Sequence, residues 1–385
     1  MKAFPGTILA AAVGCAFLVM QSAALARPVP DPERNALADR ALENFYNLEY
    51  DQAIALFEQL RDSDPRNPVW QNRVALAYFY KQLYTAGVLQ GDLFSASNKF
   101  FRMKKVQTDP KLMGNFRQAN QTALRLCEQR LKQHDKDEEA LYACGVAYAS
   151  RATEQGLIER AKWDFMGSAH KAYEYHSRLI RKNPRYYDAY LITGIYDFVL
   201  GSLPGPLKFL LLFVGLTGNK ERGVHAVEGV AQWGDQAKAD AKIMLAVMYR
   251  REKRYADARR VLHDLAGAYP QNFLLPLEIA SVHRAAGEID AAIQLYEQVL
   301  ADVRQGTAGY LEAPVARIHY ELGALHRQAG NLESARMHFS QVAGSRGSMP
   351  ELEQQSSLLQ QEIEQALQQQ KAEPAAPSAG QALAP

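Results

Sequence analysis

The sequence predicts an all-α protein, a solenoid of antiparallel helix pairs with a helical insertion and a C-terminal capping helix. Two observations predict this fold. Small and large apolar residues recur in the same order, with 34 residues between the clearest copies, and glycine or proline lies where the helices of such pairs must turn. The chain of 385 residues is also too long for one ordinary hydrophobic core. Its 48% hydrophobic and 22% charged residues are typical of a globular protein.

The repeated order of residues is clearest after residue 239. Three successive copies place a small residue in the first helix of a pair (helix A) and a ring-bearing residue three positions later: Ala246 with Tyr249, Ala280 with His283, and Gly323 with His326. Two antiparallel helices approach closely only where side chains are small, and large residues three and four positions away fill the groove beside them. The recurrence therefore predicts stacked helix pairs.

Turn residues support the same division. Gly287 and Gly330 lie between helix A and the second helix of the pair (helix B), where the backbone needs a positive φ. Pro65, Pro184 and Pro270 follow B helices and can stop them. Counting from these turns in both directions recovers about seven helix pairs.

These positions resemble the tetratricopeptide repeat superfamily over most of residues 36–343. The resemblance implies a right-handed superhelical solenoid whose concave face binds a partner. Residues 200–223 resemble a eukaryotic repeat family that includes the yeast inclusion-body clearance protein, through Leu203, Pro204, Lys208, Gly215, Gly218, Glu221, Arg222 and Gly223. That second resemblance implies a binding scaffold with an apolar insert. The N-terminal signal departs from that family's location, so its cellular role is not transferred.

The chain divides into four segments: a signal peptide (1–26), the solenoid (27–350, irregular at 81–132 and 200–223), a capping helix (351–370) and an Ala/Pro-rich tail (371–385). The predicted capping helix carries apolar residues at helical spacing that would cover the last pair: Leu352, Leu358, Leu359, Ile363 and Leu367. The tail lacks the large apolar residues that a core needs, and we expect it to be disordered.

Residues 1–26 have the features of an export signal. Lys2 precedes an apolar run over residues 7–20, and Ala24-Leu25-Ala26 matches the small-x-small pattern before a signal-peptidase cut. Two alternatives are a lipoprotein signal that ends at Cys15 and an uncleaved anchor. The apolar run is short for a span of ~20 residues. The sequence therefore predicts an exported chain, periplasmic or associated with the cell envelope.

The sequence offers no arrangement of residues suited to catalysis. Neither a His-Glu-x-x-His nor a Gly-x-Ser-x-Gly motif occurs, and no phosphate-binding loop is present. We predict no enzymatic activity, no cofactor and no metal site. His319, His326 and His338 could together bind a metal, but His326 stands where the repeat usually has tyrosine, so we interpret the three as packing residues. A formal net charge of +2 with no basic face predicts no nucleic-acid binding.

Two cysteines remain after signal removal. Cys127 and Cys144 are about equally far from the turn predicted near Asp135 and Lys136, so they would lie level on adjacent antiparallel helices. An oxidising compartment would permit a disulfide between them. The alternative is that both are small buried residues, because Cys144 takes a core position.

Three arginines suggest a partner-binding row. Arg250, Arg284 and Arg327 occupy the same position, the twelfth, of successive A helices. Their guanidinium groups could bind carboxylates or phosphates of an acidic peptide or a lipid headgroup. Alternatively they are solvated helix ends, where cations complement the helix dipole.

An apolar patch and an apolar insert are the other candidates for partner contact. Leu191, Ile195 and Phe198 are predicted to face the concave side of the solenoid, and the insert 203–216 contains a second group, Phe209, Leu212 and Phe213. The insert is too short to span a bilayer. We expect it to fold onto the patch as an internal plug, and the alternative is contact with a membrane surface or a partner's apolar helix.

The function that these features predict is a scaffold or adaptor that binds a partner protein or peptide on the concave face. The alternative is a protein that binds a lipid or membrane surface through the insert. Repeat folds do not dictate their ligands, so the sequence leaves the identity of the partner open.

Overall fold

The computed structural model describes residues 32–89, 106–160, 164–206, 208 and 217–372. The predicted signal peptide and the apolar group Phe209, Leu212 and Phe213 lie outside these residues, as does the tail beyond residue 372. Within the described part of the chain there are fifteen α-helices and no strand. None of these helices is both long enough and apolar enough to cross a bilayer.

The fifteen helices follow one another with short turns or longer connections between them. They are α1 (Pro32–Tyr46), α2 (Tyr50–Ser63), α3 (Pro68–Thr85), α4 (Pro110–Gln133), α5 (Glu138–Glu154), α6 (Asp164–Lys182), α7 (Tyr190–Gly201), α8 (Lys220–Trp233), α9 (Lys238–Arg251), α10 (Tyr255–Ala268), α11 (Leu274–Ala286), α12 (Ile289–Gln305), α13 (Val315–Gln328), α14 (Leu332–Ser340) and α15 (Pro350–Ala372). A π-helical turn, Gln155–Glu159, extends α5, and a short 3-10 turn, Tyr187–Ala189, precedes α7.

Each helix packs on the next from α1 to α10 and again from α12 to α15. The odd-numbered helices up to α13 are A helices, the even-numbered ones up to α14 are B helices, and α15 follows the last pair. The all-α solenoid of helix pairs is therefore confirmed, with seven pairs in the described residues. The chain forms two compact units, Met1–Val282 (unit 1) and His283–Pro385 (unit 2), whose boundary falls within α11.

Helix starts follow from polar side chains that satisfy the first backbone N–H groups. Asn67 accepts a hydrogen bond from the N–H of Val69, at 2.9 Å, and Pro68 follows it. Asp109 and Asp137 begin α4 and α5 in the same way. These caps replace the intrahelical partners that the first turn lacks.

Four of the A-to-B turns share one geometry. Gly287 and Gly330 have φ values of +83° and +81°, which confirms the positive φ predicted for them. Leu48 and Lys253 occupy the same turn in the first and fifth pairs, with φ of 68° and 59°. A non-glycine residue in this left-handed region is strained, so the turn is maintained by the packing of the helices around it.

The two segments predicted as irregular contain helix B of their own pairs. Residues 81–132 include α4, which packs on α3 as its B helix, and residues 200–223 include the start of α8, which packs on α7. The longer connections between helix A and helix B displace these B helices from the repeat interval. Counting at a fixed interval therefore missed them.

In unit 1 the A helices α3, α5, α7 and α9 are buried on nearly every side, whereas the B helices are buried along one face. Fourteen of the seventeen residues of α5 are buried, but only six of the nineteen residues of α6 are. The A helices α3, α7 and α9 are buried in the same manner as α5. A helix that is apolar all round must lie inside a structure, so the A helices form the interior of this unit.

This burial corrects the prediction of an apolar patch on the concave face of the solenoid. Leu191, Ile195 and Phe198 have exposed fractions of 0, 0 and 2%, because α7 is enclosed by the neighbouring helices α6, α8 and α9. A Cβ on Gly223 of α8 would come within 2.5 Å of the carbonyl oxygen of Gly194 in α7. The two helices touch backbone to backbone, and a partner has no access to the three apolar side chains.

The motif Glu221-Arg222-Gly223 has a structural explanation in the same contact. Arg222 donates two hydrogen bonds to the carboxylate of Asp197 in α7, Nε to Oδ2 at 2.7 Å and Nη2 to Oδ1 at 2.5 Å. Gly223 provides the close helix approach. The residues that carried the resemblance at this point therefore connect α8 to α7.

A disulfide joins α4 to α5. Cys127 and Cys144 are bonded, with 5.5 Å between their Cα atoms. Beside Cys144, Gly145 faces the ring of His176 from α6, and a Cβ there would lie 1.9 Å from Cδ2 of that ring. His176 is fully buried and contacts the carbonyl oxygens of Ala189 and Tyr142. Burial lowers the pKa of His176 to about 4, so the ring is neutral at pH 7.

Helix α15 caps unit 2 as predicted. Leu352 packs with Ala316 and Val342, and Ile363 packs with Ala335 and Phe339. Leu359 and Leu367 contact the second cluster as well, but Leu358 is 55% exposed and does not belong to the apolar face.

Replacing Gly145 by alanine should destabilise unit 1 by about 3 kcal/mol or more, because the new methyl group needs the space of the His176 ring and the core cannot yield. Gly114 is the matched control, an exposed glycine inside α4 where a Cβ would meet no atom within 4 Å, and Gly114→Ala should stabilise by about 0.5–1 kcal/mol. Urea unfolding of the two variants measures both effects. Equal stability of the two variants would contradict the packing described.

Candidate functional site

Unit 1 closes on itself through its first helix pair. Tyr46, at the end of α1, donates a hydrogen bond to Oδ1 of Asp240 in α9, at 2.9 Å, across 194 residues of sequence. The ring of Tyr46 lies 4.9 Å from the ring of Tyr269, centroid to centroid. Next to it, Asn47 accepts a hydrogen bond from the N–H of Gln271, and Asn272 donates one to the carbonyl of Tyr46. The N-terminal pair is thus held against the segment from α9 to α11.

A second connection of the same kind lies deeper in the unit. Arg73 of α3 donates from Nη2 to Oε1 of Gln236, at 2.5 Å. The loop that contains Gln236 is held by Asp188, whose carboxylate accepts the N–H groups of Asp235, Gln236 and Ala237 at 2.9, 3.3 and 3.3 Å. Burial raises the pKa of Asp188, and these three hydrogen bonds oppose the rise. The loop before α9 therefore has its N–H groups satisfied by a side chain from the preceding repeat.

The closure encloses an apolar cavity. The cavity is partly open, and its outline takes in about 790 Å³ with open solvent included. The first pair and α3 form one side through Phe45, Tyr46, Leu48, Tyr50 and Tyr80, with Leu89 beside them. The other side comes from α9, α10 and α11 and the turn before α11: Ile243, Ala246, Val247, Arg250, Leu262, Asn272, Leu274, Leu275, Glu278 and Val282.

One charged pair lies in this apolar wall. Arg250 contacts Glu278 through Nη1 and Oε2, at 3.2 Å, and donates from Nη2 to the hydroxyl of Ser281 at 2.9 Å. The side chains of Arg250 and Glu278 are only 8% and 12% exposed. A charge pair with so little solvent around it interacts more strongly than a surface pair, and it supplies the cavity with one donor and one acceptor group.

Each of the three arginines singled out in the sequence pairs with a glutamate of this chain. Arg250 pairs with Glu278 of the following A helix, Arg284 pairs with Glu321 of the A helix that follows it, and Arg327 pairs with Glu362 of α15 at 3.1 Å. Each guanidinium therefore joins its helix to the next one in the stack. The predicted row for an acidic ligand is corrected to a repeated internal ion pair, because a glutamate on the following helix reaches each arginine first.

The three histidines interpreted as packing residues do pack against one another. His338 of α14 lies against both His319 and His326 of α13, with ring centroids 5.3 Å away in each case. Burial, together with the neighbouring imidazoles of His319 and His326, lowers the pKa of His338 to about 4. Burial also lowers the pKa of His319. The three rings thus form one cluster in unit 2.

The structure brings only some of the predicted site residues together. Arg250 lines the cavity of unit 1, whereas Arg284 and Arg327 belong to unit 2. The sequence does not predict that Leu48, Tyr50 and Val247 line a binding site. Ile243, Ala246 and Val247 stand at helical spacing, which is a signal for one wall, but no local pattern indicates that the first helix pair supplies the other.

The repeat type is supported by comparison with known proteins. Residues 249–313 match the family model for the tetratricopeptide repeat. The chain is thus an all-α protein of stacked helix pairs. Its repeats in this stretch are tetratricopeptide repeats, which confirms the type that the sequence predicts. Among curated protein sequences none is significantly similar. The resemblance of residues 200–223 to the yeast inclusion-body clearance family gains no support from these comparisons and stays a prediction.

Three solved structures are similar over most of the chain. A tetratricopeptide repeat protein from Parabacteroides merdae is 14% identical, with 86% of this chain and 99% of that one covered and a TM-score of 0.34. PilW, described as a widely conserved type IV pilus biogenesis factor, is 13% identical, with 86% and 100% covered and a TM-score of 0.33. Yeast Tom70 is 14% identical, with 89% and 98% covered and a TM-score of 0.28. At these identities and TM-scores the likeness carries no conclusion about partners.

Replacing Arg250 by alanine should destabilise unit 1 by about 3 kcal/mol, because Glu278 would keep a charge in the cavity wall without its counter-ion. Arg327→Ala is the matched control in the exposed pair with Glu362 and should cost less than about 1 kcal/mol. Chemical denaturation of both variants tests the difference. A loss at Arg250 no larger than at Arg327 would show that the wall pair is solvated.

Proposed function

We propose that this chain is a non-enzymatic scaffold that binds a partner protein, and that the cavity of unit 1 receives an apolar segment of that partner. The observation that carries the proposal is the lining of the cavity. Only three of its sixteen residues, Arg250, Asn272 and Glu278, are neither aliphatic nor aromatic. Such a surface binds by releasing water from apolar groups, at about 25 cal/mol per Å² buried.

The polar groups of the wall favour a peptide over a purely apolar ligand. Arg250 and Glu278 offer a donor and an acceptor beside the apolar surface, and a peptide backbone carries both complementary groups. Seven of the lining residues fall within the tetratricopeptide match at residues 249–313. The predicted concave face is replaced in this proposal, because the A helices α3, α5, α7 and α9 are already covered.

We further propose that the scaffold acts in the cell envelope, either in the periplasm or at the membrane. The predicted signal peptide, residues 1–26, supports export. The disulfide between Cys127 and Cys144 is compatible with an oxidising compartment. The other hypothesis, contact with a lipid or membrane surface through Phe209, Leu212 and Phe213, stays a proposal that the following experiment distinguishes from the first.

A photoreactive amino acid at position 243 should crosslink one protein partner in intact cells, because Ile243 is half-buried and lines the cavity. The same amino acid at position 263 is the control, since His263 is exposed on α10 and does not line the cavity. Ile243→Trp, which fills the cavity, should reduce capture of that partner from the envelope fraction at least about tenfold, while His263→Trp should not. A side chain that occupies the binding space costs the apolar contact made there.

Thermal melting of both tryptophan variants separates loss of binding from loss of fold, and both should melt close to the wild-type chain. A protein adduct of equal yield at positions 243 and 263 would refute the cavity as the binding site. A photoreactive amino acid at position 213 that labels phospholipid, with no protein adduct at position 243, would favour the membrane hypothesis. Absence of the chain from the envelope fraction would contradict the proposed location.

A further inference from the structure

Unit 2 brings four side chains with metal-binding atoms to one place between its helices. Glu297 of α12, His326 of α13 and His338 of α14 each offer a ligand atom, and these three atoms lie within 4.8 Å of one another. The Nδ1 atom of His319 lies 3.0 Å from Nδ1 of His338. Glu297 is exposed, so this cluster has access to solvent on one side.

The register of the repeats explains why the cluster lies there. At three earlier interfaces a tyrosine of helix A donates its hydroxyl proton to a glutamate of the preceding helix B. These pairs are Tyr78 with Glu58 at 3.3 Å, Tyr148 with Glu128 at 2.6 Å, and Tyr249 with Glu228 at 2.7 Å. Each of these tyrosines follows the small residue of helix A by three positions, as His326 follows Gly323.

Glu297 takes the glutamate position of the same interface. It directly follows Tyr296, as Glu58 follows Phe57 and Glu228 follows Val227. In the last pair, therefore, an imidazole replaces the phenol that usually donates to this glutamate. A phenol brings one proton to the carboxylate, whereas a neutral imidazole brings a nitrogen lone pair that can bind a cation together with the carboxylate.

The hydrogen bonding of the cluster is incomplete in a way that a cation would complete. Nδ1 of His326 is buried and has no hydrogen-bond partner. An unpaired buried polar atom is costly, and native structures rarely retain one without a reason. A metal ion that shares Glu297 and His338 with this nitrogen would satisfy it.

His319 fixes the tautomer that such a site needs. Two ring nitrogens at 3.0 Å form a hydrogen bond only if one of them carries the proton. When Nδ1–H of His338 donates to Nδ1 of His319, the Nε2 atom of His338 has a lone pair available. A hydrogen bond from the second ring nitrogen is the usual way in which a metal-binding histidine is oriented.

We propose that Glu297, His326 and His338 bind one divalent transition-metal ion, with zinc as the ion of choice, and that His319 is a positioning residue for His338. Two imidazoles and one carboxylate are a donor set that zinc prefers, and they leave a fourth position for water or for an atom of a binding partner. The ion would join α12, α13 and α14 at the point where the last helix pair meets its neighbour.

Titration calorimetry with ZnCl₂ tests the proposal on the tag-free, signal-free chain after treatment with a chelator. We expect one zinc ion per chain. His326→Tyr should restore the tyrosine–glutamate pair of the other interfaces, so the variant should fold like the wild type and yet bind zinc at least about 100-fold more weakly, since a principal ligand is gone. His283→Ala, at the equivalent position of α11, is the matched control and should leave zinc affinity unchanged.

The role of His319 has its own readout. His319→Ala should weaken zinc binding by about 10–100-fold. It should also change the visible absorption of bound Co²⁺, which reports the coordination geometry. His319→Asn offers an amide oxygen as an acceptor and should recover most of both signals. Zinc binding that is absent from the wild-type chain, or that His326→Tyr leaves intact, would overturn the proposal.

Discussion

The contact between the first helix pair and the segment from α9 to α11 is the constraint on which unit 1 depends. Tyr46 reaches Asp240, a carboxylate with no exposed surface, and Arg73 reaches Gln236 from the fully buried interior. Burial lowers the pKa of Arg73, and the neighbouring Tyr46 and Asp240 oppose that shift. Removing one partner would leave the other buried without its hydrogen bond, and an unpaired polar or charged group in this interior costs about 3 kcal/mol.

Closure changes how a repeat protein uses its surfaces. In an open array each repeat contacts only its neighbours, and the inner face remains a groove. In unit 1 the A helices α3, α5, α7 and α9 are covered on nearly all sides, and the space left between the first pair and α9 to α11 is the apolar cavity. The same packing accounts for the burial of Leu191, Ile195 and Phe198. In the proposed function this partly open cavity of unit 1 takes the place of a long groove, and the proposed metal site lies in unit 2.

Local patterns in the sequence predict the helix pairs and the glycine turns, as well as the repeat type and the capping helix, because each depends on residues a few positions apart. They also identify Arg250 and the histidines as unusual residues. They do not predict that Tyr46 meets Asp240, since no periodicity links positions 194 residues apart. For the same reason the arginines were assigned to a ligand, although Glu278 and Glu321 lie on the next helix of the stack. Glu297 was missed because only the alignment of helix B positions shows that it faces His326.

Native-state hydrogen exchange of the backbone amides is the most direct measurement of the closure. In an open array the terminal helices α1 and α2 would unfold on their own, at a free energy well below that of the interior. If the first pair is held by α9 to α11, slowly exchanging amides of α1 and α2 should open at the same free energy as those of α9, and Tyr46→Phe should lower both together. Exchange from α1 and α2 at a much lower free energy than from α9, with α9 unaffected by Tyr46→Phe, would contradict the account.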